Sequence, residues 1–218
     1  LDLGIDQNKV LSGEQVITDG VRAKGKASQI FYNKWKMDVQ LRENIYNCMK
    51  ELTITNFSGK TPFGHFDDVI AYIDRICWRL PDEILKAGGL NLHIDRNPVD
   101  PYLTGCCGSS KCKNKCITKS KLERWRPIQA FVSLTDSYGS TGGGLKVIKG
   151  FHKIIDEYFA KDPGIRDELV GTTGEFFRMG SKKYYSLLKD CQPIDVKAGS
   201  LVCFDNRLAH MTCDFLSG

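Results

Sequence analysis

The sequence predicts an α+β protein, mainly β, in which helices come first and short strands separated by long loops follow. Three observations predict it. Apolar residues recur at helical spacing early in the chain, whereas from about residue 90 onward they alternate with polar ones over short stretches bounded by Gly and Pro. Strand and helix patterns do not alternate regularly, which argues against a parallel doubly wound sheet. With 218 residues, 41% hydrophobic and 26% charged, the chain can bury a sizeable core and reads as one domain, not as a disordered polymer.

The first thirty residues are polar, with weak strand signals at Val16-Ile17 and Ile30-Phe31. Trp35, Val39, Leu41, Ile45 and Met49 recur at helical spacing and predict a helix over 34–52. A second helix is expected after Asp67 and Asp68, with Val69, Ile70, Ile73, Ile76 and Cys77 as its buried stripe and Pro81 as its stop. After Gly88-Gly89, Leu90, Leu92 and Ile94 alternate with Asn91, His93 and Asp95, which predicts a strand ended by Pro98 and Pro101. Further strands are predicted over 127–135 and 145–149, helices near 152–160 and 175–189, and a last strand from Ser200 that carries His210 near its end. Residues 1–88 thus read as helical support and 89–218 as the strand core, with a Cys- and Lys-rich loop at 104–126.

The net charge of +5 is mild, and it belongs to one segment. Residues 111–126 hold Lys111, Lys113, Lys115, Lys119, Lys121, Arg124 and Arg126 against Glu123 alone, so the rest of the chain is close to neutral. This loop most often is simply solvated. Its sharper reading is a substrate-attracting surface, with Lys113, Lys115, Arg124 and Trp125 drawing an anionic small molecule, an acidic protein or nucleic acid. In the same loop, Cys106, Cys107, Cys112 and Cys116 could hold a structural zinc ion or form local disulfides, although their spacing matches no finger or ribbon well. The other five of nine cysteines lie singly in apolar or helical patterns, which favours a reducing, intracellular compartment, the cytoplasm. No apolar run suggests a membrane span and no secretory signal is visible. The chain starts at Leu1 and stops at Gly218 inside a segment that reads as folded, the pattern of a trimmed chain.

With only four histidines, imidazole chemistry has few choices. His93 and Asp95 are two apart on a predicted strand, and that spacing brings an imidazole and a carboxylate to one face. His210, at the end of an apolar strand, is the natural third ligand. Two His and one carboxylate on one face of an octahedron leave open positions for a bidentate co-substrate and O₂, the arrangement used by non-haem Fe(II) oxygenases. His65-Phe66-Asp67 is a competing motif, but it precedes a helical stripe and its Asp reads as a cap. His152 reads as structural. Gly142-Gly143-Gly144 is not a phosphate loop, and no Gly-x-Ser-x-Gly elbow occurs.

These landmarks resemble the phytanoyl-CoA dioxygenase-like Fe(II)/2-oxoglutarate oxygenases. His93-Ile94-Asp95, the run from Gln129 to Asp136 with Gly143 to His152, and Val196 to His210 follow the family's motif order over a little more than half the chain. The resemblance implies a double-stranded β-helix, a cupin-like jelly roll flanked by N-terminal helices. It implies Fe(II) held by His93, Asp95 and His210, a 2-oxoglutarate pocket lined by Gln129 and Phe131, and hydroxylation of a substrate with release of succinate and CO₂. The pattern departs at Lys149 and Phe151, where the family has proline and serine. The family's arginine for the distal carboxylate, roughly ten residues past the distal histidine, has no counterpart before Gly218. The alternatives are a jelly-roll binding or structural protein without turnover, or a zinc-stabilised module that binds nucleic acid through the Lys-rich loop.

Overall fold

The computed structural model describes residues 26–30, 34–60, 64–70, 76–79, 91–96, 98, 127–138, 144–162, 164–165 and 177–212. Backbone contacts divide the chain into two compact units: Leu1–Thr55 with Asp67–Gly89 and Ser217–Gly218, and Asn56–Phe66 with Leu90–Leu216. The described elements are helical and antiparallel β, an α+β arrangement.

In the first unit, β1 (Lys26–Ile30) pairs antiparallel with β2 (Ile76–Arg79), with Ala27 opposite Trp78 and Ile30 opposite Ile76. The region of the expected helix at 34–52 contains two helices, α1 (Lys34–Gln40) and α2 (Glu43–Phe57), broken at Leu41-Arg42. Among the described residues the second expected helix is absent. Residues 67–70 are not helical, Ile70 is 96% exposed, and Ile76 and Cys77 lie in strand β2. Ile76, read as part of a helical stripe, is β-branched and fits a pleated ribbon once β1 offers a partner. Asp67, read as a cap, starts no helix among the described residues, and the Asp68 carboxylate accepts from the Val69 amide and the Tyr46 hydroxyl and pairs with Lys50.

In the second unit, β3 (His93–Ile94), β5 (Leu145–Ile148), β6 (Phe177–Arg178), β7 (Cys191–Pro193) and β9 (His210–Thr212) form one antiparallel sheet in the order β6-β3-β9-β5-β7. A two-stranded ribbon pairs β4 (Ile128–Val132) with β8 (Leu201–Asp205). Beyond β4 the ribbon continues through mutual backbone bonds between Ser137 and Val196. The final strand expected from Ser200 is therefore two strands in two sheets, because residues 206–209 turn the chain between them. The helix expected over 175–189 is met only in part, in its later residues and as a tighter form. Phe177–Arg178 is strand, and Lys182–Asp190 is a 3₁₀ helix.

Gly150, at φ 83°, makes the tight turn from β5 into α3 (Phe151–Ala160). Phe151, Ile155 and Phe159 recur every four residues and bury one face of α3. That face packs with Ile94, Ile148, Phe177, Met179, Tyr184 and Ala209. Phe159 meets Phe177 edge to face at 5.6 Å, and Phe177 meets Tyr184 at 5.9 Å. Each such fully buried side chain contributes about 1.5–3 kcal/mol, so this face fixes the sheet that carries the polar residues opposite. No described helix is long and apolar enough to cross a membrane.

Candidate metal centre

Successive side chains on a strand point to opposite faces, and directly paired residues on antiparallel strands share a face. In β3, Ile94 lies in the α3 core, so His93 faces the other way. His93 pairs with Arg178 on one side and His210 on the other, and His210 pairs in turn with Val147. The row across this face is thus Arg178, His93, His210, Val147. Pairing alone sets the two imidazoles side by side, with ring centroids 4.1 Å apart and a tilt of 53°.

Asp95 follows β3 and completes the group. Its Oδ1 lies 3.7 Å from His93 Nε2 and its Oδ2 lies 3.4 Å from His210 Nε2. The donor atoms of all three residues lie within 4.8 Å of one another. Ligands about 2.1 Å from one ion and at right angles to each other stand about 3 Å apart, so small side-chain adjustments close the site on an ion. Among the described residues this is the group of His, Cys, Asp and Glu that could hold a metal.

The hydrogen bonds around the triad fit that use. His93 Nδ1 lies 2.7 Å from the Asn91 carbonyl and His210 Nδ1 lies 2.8 Å from the Leu208 carbonyl, in each case two residues earlier in the chain. A carbonyl only accepts, so each Nδ1 carries a proton, and Nε2 is the ring nitrogen left to face the centre, where it offers a lone pair whenever it is unprotonated. Burial, together with the neighbouring His210 charge, pushes the His93 pKa down to about 4. At neutral pH it is therefore an unprotonated donor. For Asp95, burial alone would raise the pKa, but the His210 hydrogen bond, the charges of both imidazoles and a hydrogen bond from the Gln129 side chain outweigh it and hold the carboxyl ionised below its usual range.

The β4–β8 ribbon lies against this centre. Gln129 on β4 bonds Asp95, and Phe204, directly opposite Gln129 on β8, meets the His210 ring edge-on at 5.0 Å. Asn206, buried in the β8–β9 turn, accepts the Asp95 amide on its carbonyl and donates its own amide to Pro127.

The structure therefore brings His93, Asp95, His210 and Gln129 together. Phe131 sits two residues along β4 from Gln129, on the same strand face, and is 37% exposed. Cys106, Cys107, Cys112, Cys116, Lys113, Lys115, Arg124 and Trp125 lie outside the described residues. The competing His65 and Asp67 are both exposed. The His65 ring lies against Gly59, at φ 69°, where any side chain would collide with it. Sequence reasoning missed Arg178, Phe204 and Asn206. The polar run Asp205-Asn206-Arg207, which interrupts an apolar stretch, was the readable sign of a turn at Asn206, whereas Arg178 was hidden in a segment read as helix. Arg207 lies in the β8–β9 turn with its guanidinium clamped on Asp205.

Comparison with family models, with curated proteins and with solved structures finds no match to this chain.

Proposed function

We propose that this chain is an Fe(II)/2-oxoglutarate-dependent oxygenase that hydroxylates an organic substrate, with a double-stranded β-helix as its scaffold. The observation that carries the reading is the convergence of His93, Asp95 and His210 with both histidines locked as Nε2 donors. Two neutral imidazoles and one carboxylate suit Fe(II) and occupy one face of its coordination sphere, which leaves room for a chelating co-substrate. Two antiparallel sheets with the triad and Gln129 between them support the scaffold, and the motif order of phytanoyl-CoA dioxygenase-like enzymes agrees with it.

When bound, Fe(II) supplies the redox chemistry by which substrate C–H, O₂ and 2-oxoglutarate become substrate C–OH, succinate and CO₂. The chain's own groups hold and exclude. The Asn91 and Leu208 carbonyls fix the imidazole orientations, Gln129 and the Asn206 backbone fix the carboxylate, and Val147 with Phe204 supplies apolar wall beside His210. Phe131, exposed on the Gln129 strand face, is placed to meet the co-substrate or the substrate. Free thiols at Cys48, Cys191 and Cys203 suit a reducing compartment.

Anaerobic addition of Fe(II) and 2-oxoglutarate should produce the weak visible charge-transfer band of a chelate, and admission of O₂ should release succinate. Both signals should vanish in His93→Ala. A chelate band without succinate under any condition would leave a binding protein that lacks turnover, and no band in the wild type would end the oxygenase reading.

A further inference from the structure

The turn between β8 and β9 holds two of the three candidate ligands by its backbone. The Asn206 carbonyl accepts the Asp95 amide at 3.2 Å, and the Leu208 carbonyl lies 2.8 Å from His210 Nδ1. Packing sets the far end of this turn. Leu208 lies against the α3 core, Ala209 is fully buried within it, and the Ala209 carbonyl accepts the Ile148 amide. Polar bonds set the near end, and Asp205 makes most of them. Its carbonyl accepts the Leu208 amide at 2.9 Å, its Oδ1 accepts the Arg207 amide at 2.9 Å and Arg207 Nε at 2.8 Å, and its Oδ2 accepts from Arg207 Nη2. An aspartate that accepts the amide two residues ahead closes a turn with its side chain, so this carboxylate governs the path of the chain through Asn206 and Leu208. It is not itself a ligand. Phe204 meets the His210 ring, and side chains alternate along a strand, so Asp205 points away from the centre.

We infer that Asp205 is a positioning residue of the metal centre: by closing the turn it sets where the Asn206 and Leu208 carbonyls stand, and through them it holds Asp95 and His210 in place for an ion. This inference rests on the metal-site reading above. What counts is an acceptor oxygen at the reach of Oδ1, not the negative charge. Asparagine keeps an oxygen at that reach, whereas glutamate keeps the charge and a partner for Arg207 but is one methylene longer and no longer closes the two-residue turn.

Chelator-treated wild type, Asp205→Ala, Asp205→Asn and Asp205→Glu would be titrated with Co(II) and followed by visible absorption, with denaturant unfolding measured alongside. Ile155→Val, in the α3 core, serves as the control for a general loss of stability. Asp205→Ala should bind Co(II) about 10-fold more weakly and shift the ligand-field bands, because its donors converge differently. Asp205→Asn should return both to wild-type values and Asp205→Glu should not, while Ile155→Val should lose stability with affinity and bands unchanged. If Asp205→Ala fails to fold, the contrast between Asp205→Asn and Asp205→Glu carries the test. Wild-type affinity and bands in Asp205→Ala, the same behaviour in Asp205→Asn and Asp205→Glu, or an equal loss of affinity in Ile155→Val overturns the inference and leaves the metal site standing. A wild type that takes up no Co(II) overturns the parent reading and this one together.

Discussion

The two faces of the five-stranded sheet differ completely although each strand supplies both. On one face Ile94, Ile148, Phe177 and Ala209 close against α3, and on the other His93, His210 and Arg178 stand in a row. Adjacent residues in the chain, such as Ile94 and His93 or Ala209 and His210, thus serve separate purposes. The apolar face specifies the register, and the register assembles the polar face. A one-residue slip of β9 against β3 would exchange Ala209 for His210 at the core and dismantle the site.

This division can be broken on either side. The largest effect is expected on the polar face. His93→Ala or Asp95→Ala should weaken divalent-metal affinity by more than about 100-fold, read by titration with Co(II), while the metal-free protein keeps its far-UV circular dichroism. On the apolar face, Ile94→Ala should cost about 2–5 kcal/mol of stability, read by denaturant unfolding, with metal affinity unchanged in the fraction that stays folded. If Ile94→Ala abolished metal binding in folded protein, the two faces would not be separable.

The pH dependence sharpens the same contrast. His93 has a pKa of about 4 when folded against 6.5 for a free imidazole. Between these values the unfolded chain binds a proton that the folded chain refuses. The metal-free protein should therefore lose up to about 3 kcal/mol as the pH falls from 6.5 toward 4. Asp95, held below its ordinary value, contributes stability that is present above pH 3.8 and lost as the pH falls through its folded pKa. Denaturation midpoints measured with chelator present should show the upper slope in wild type and its absence in His93→Gln. The smallest effect is expected from Gln129→Leu, which removes the side-chain bond to Asp95. It should weaken metal affinity about 10-fold, and no change would mean that the ribbon does not orient the carboxylate.

The sequence made parts of both faces legible. The spacing of His93 and Asp95 puts them on one side of any extended segment, and the apolar run of α3 repeats every four residues, so both were readable from period alone. The remainder depended on partners. Strands of two or three residues, such as β6 and β3, are too short to show a period, and only their hydrogen-bonded neighbours define them. Phe177, Arg178 and Met179 do alternate in burial, but the adjoining Tyr184, Leu187 and Leu188 lie at helical spacing and dominate the pattern. Val69, Ile70 and Ile73 fit a helical stripe by spacing and a strand by side-chain shape, and the helix expected from them is not met at 67–70 or at 76–79, where the chain is strand β2. The separation of His210 from β8 depends on the turn at 206–209, where Asn206 ties the Asp95 amide to Pro127.

Titration of the chelator-treated protein with Co(II), followed by its visible absorption, tests the central claim most directly. The account predicts one ion bound per chain, and loss of that ion in His93→Ala, Asp95→Ala and His210→Ala alike. Uptake that persists in all three variants, or a wild type that takes up none, would contradict it.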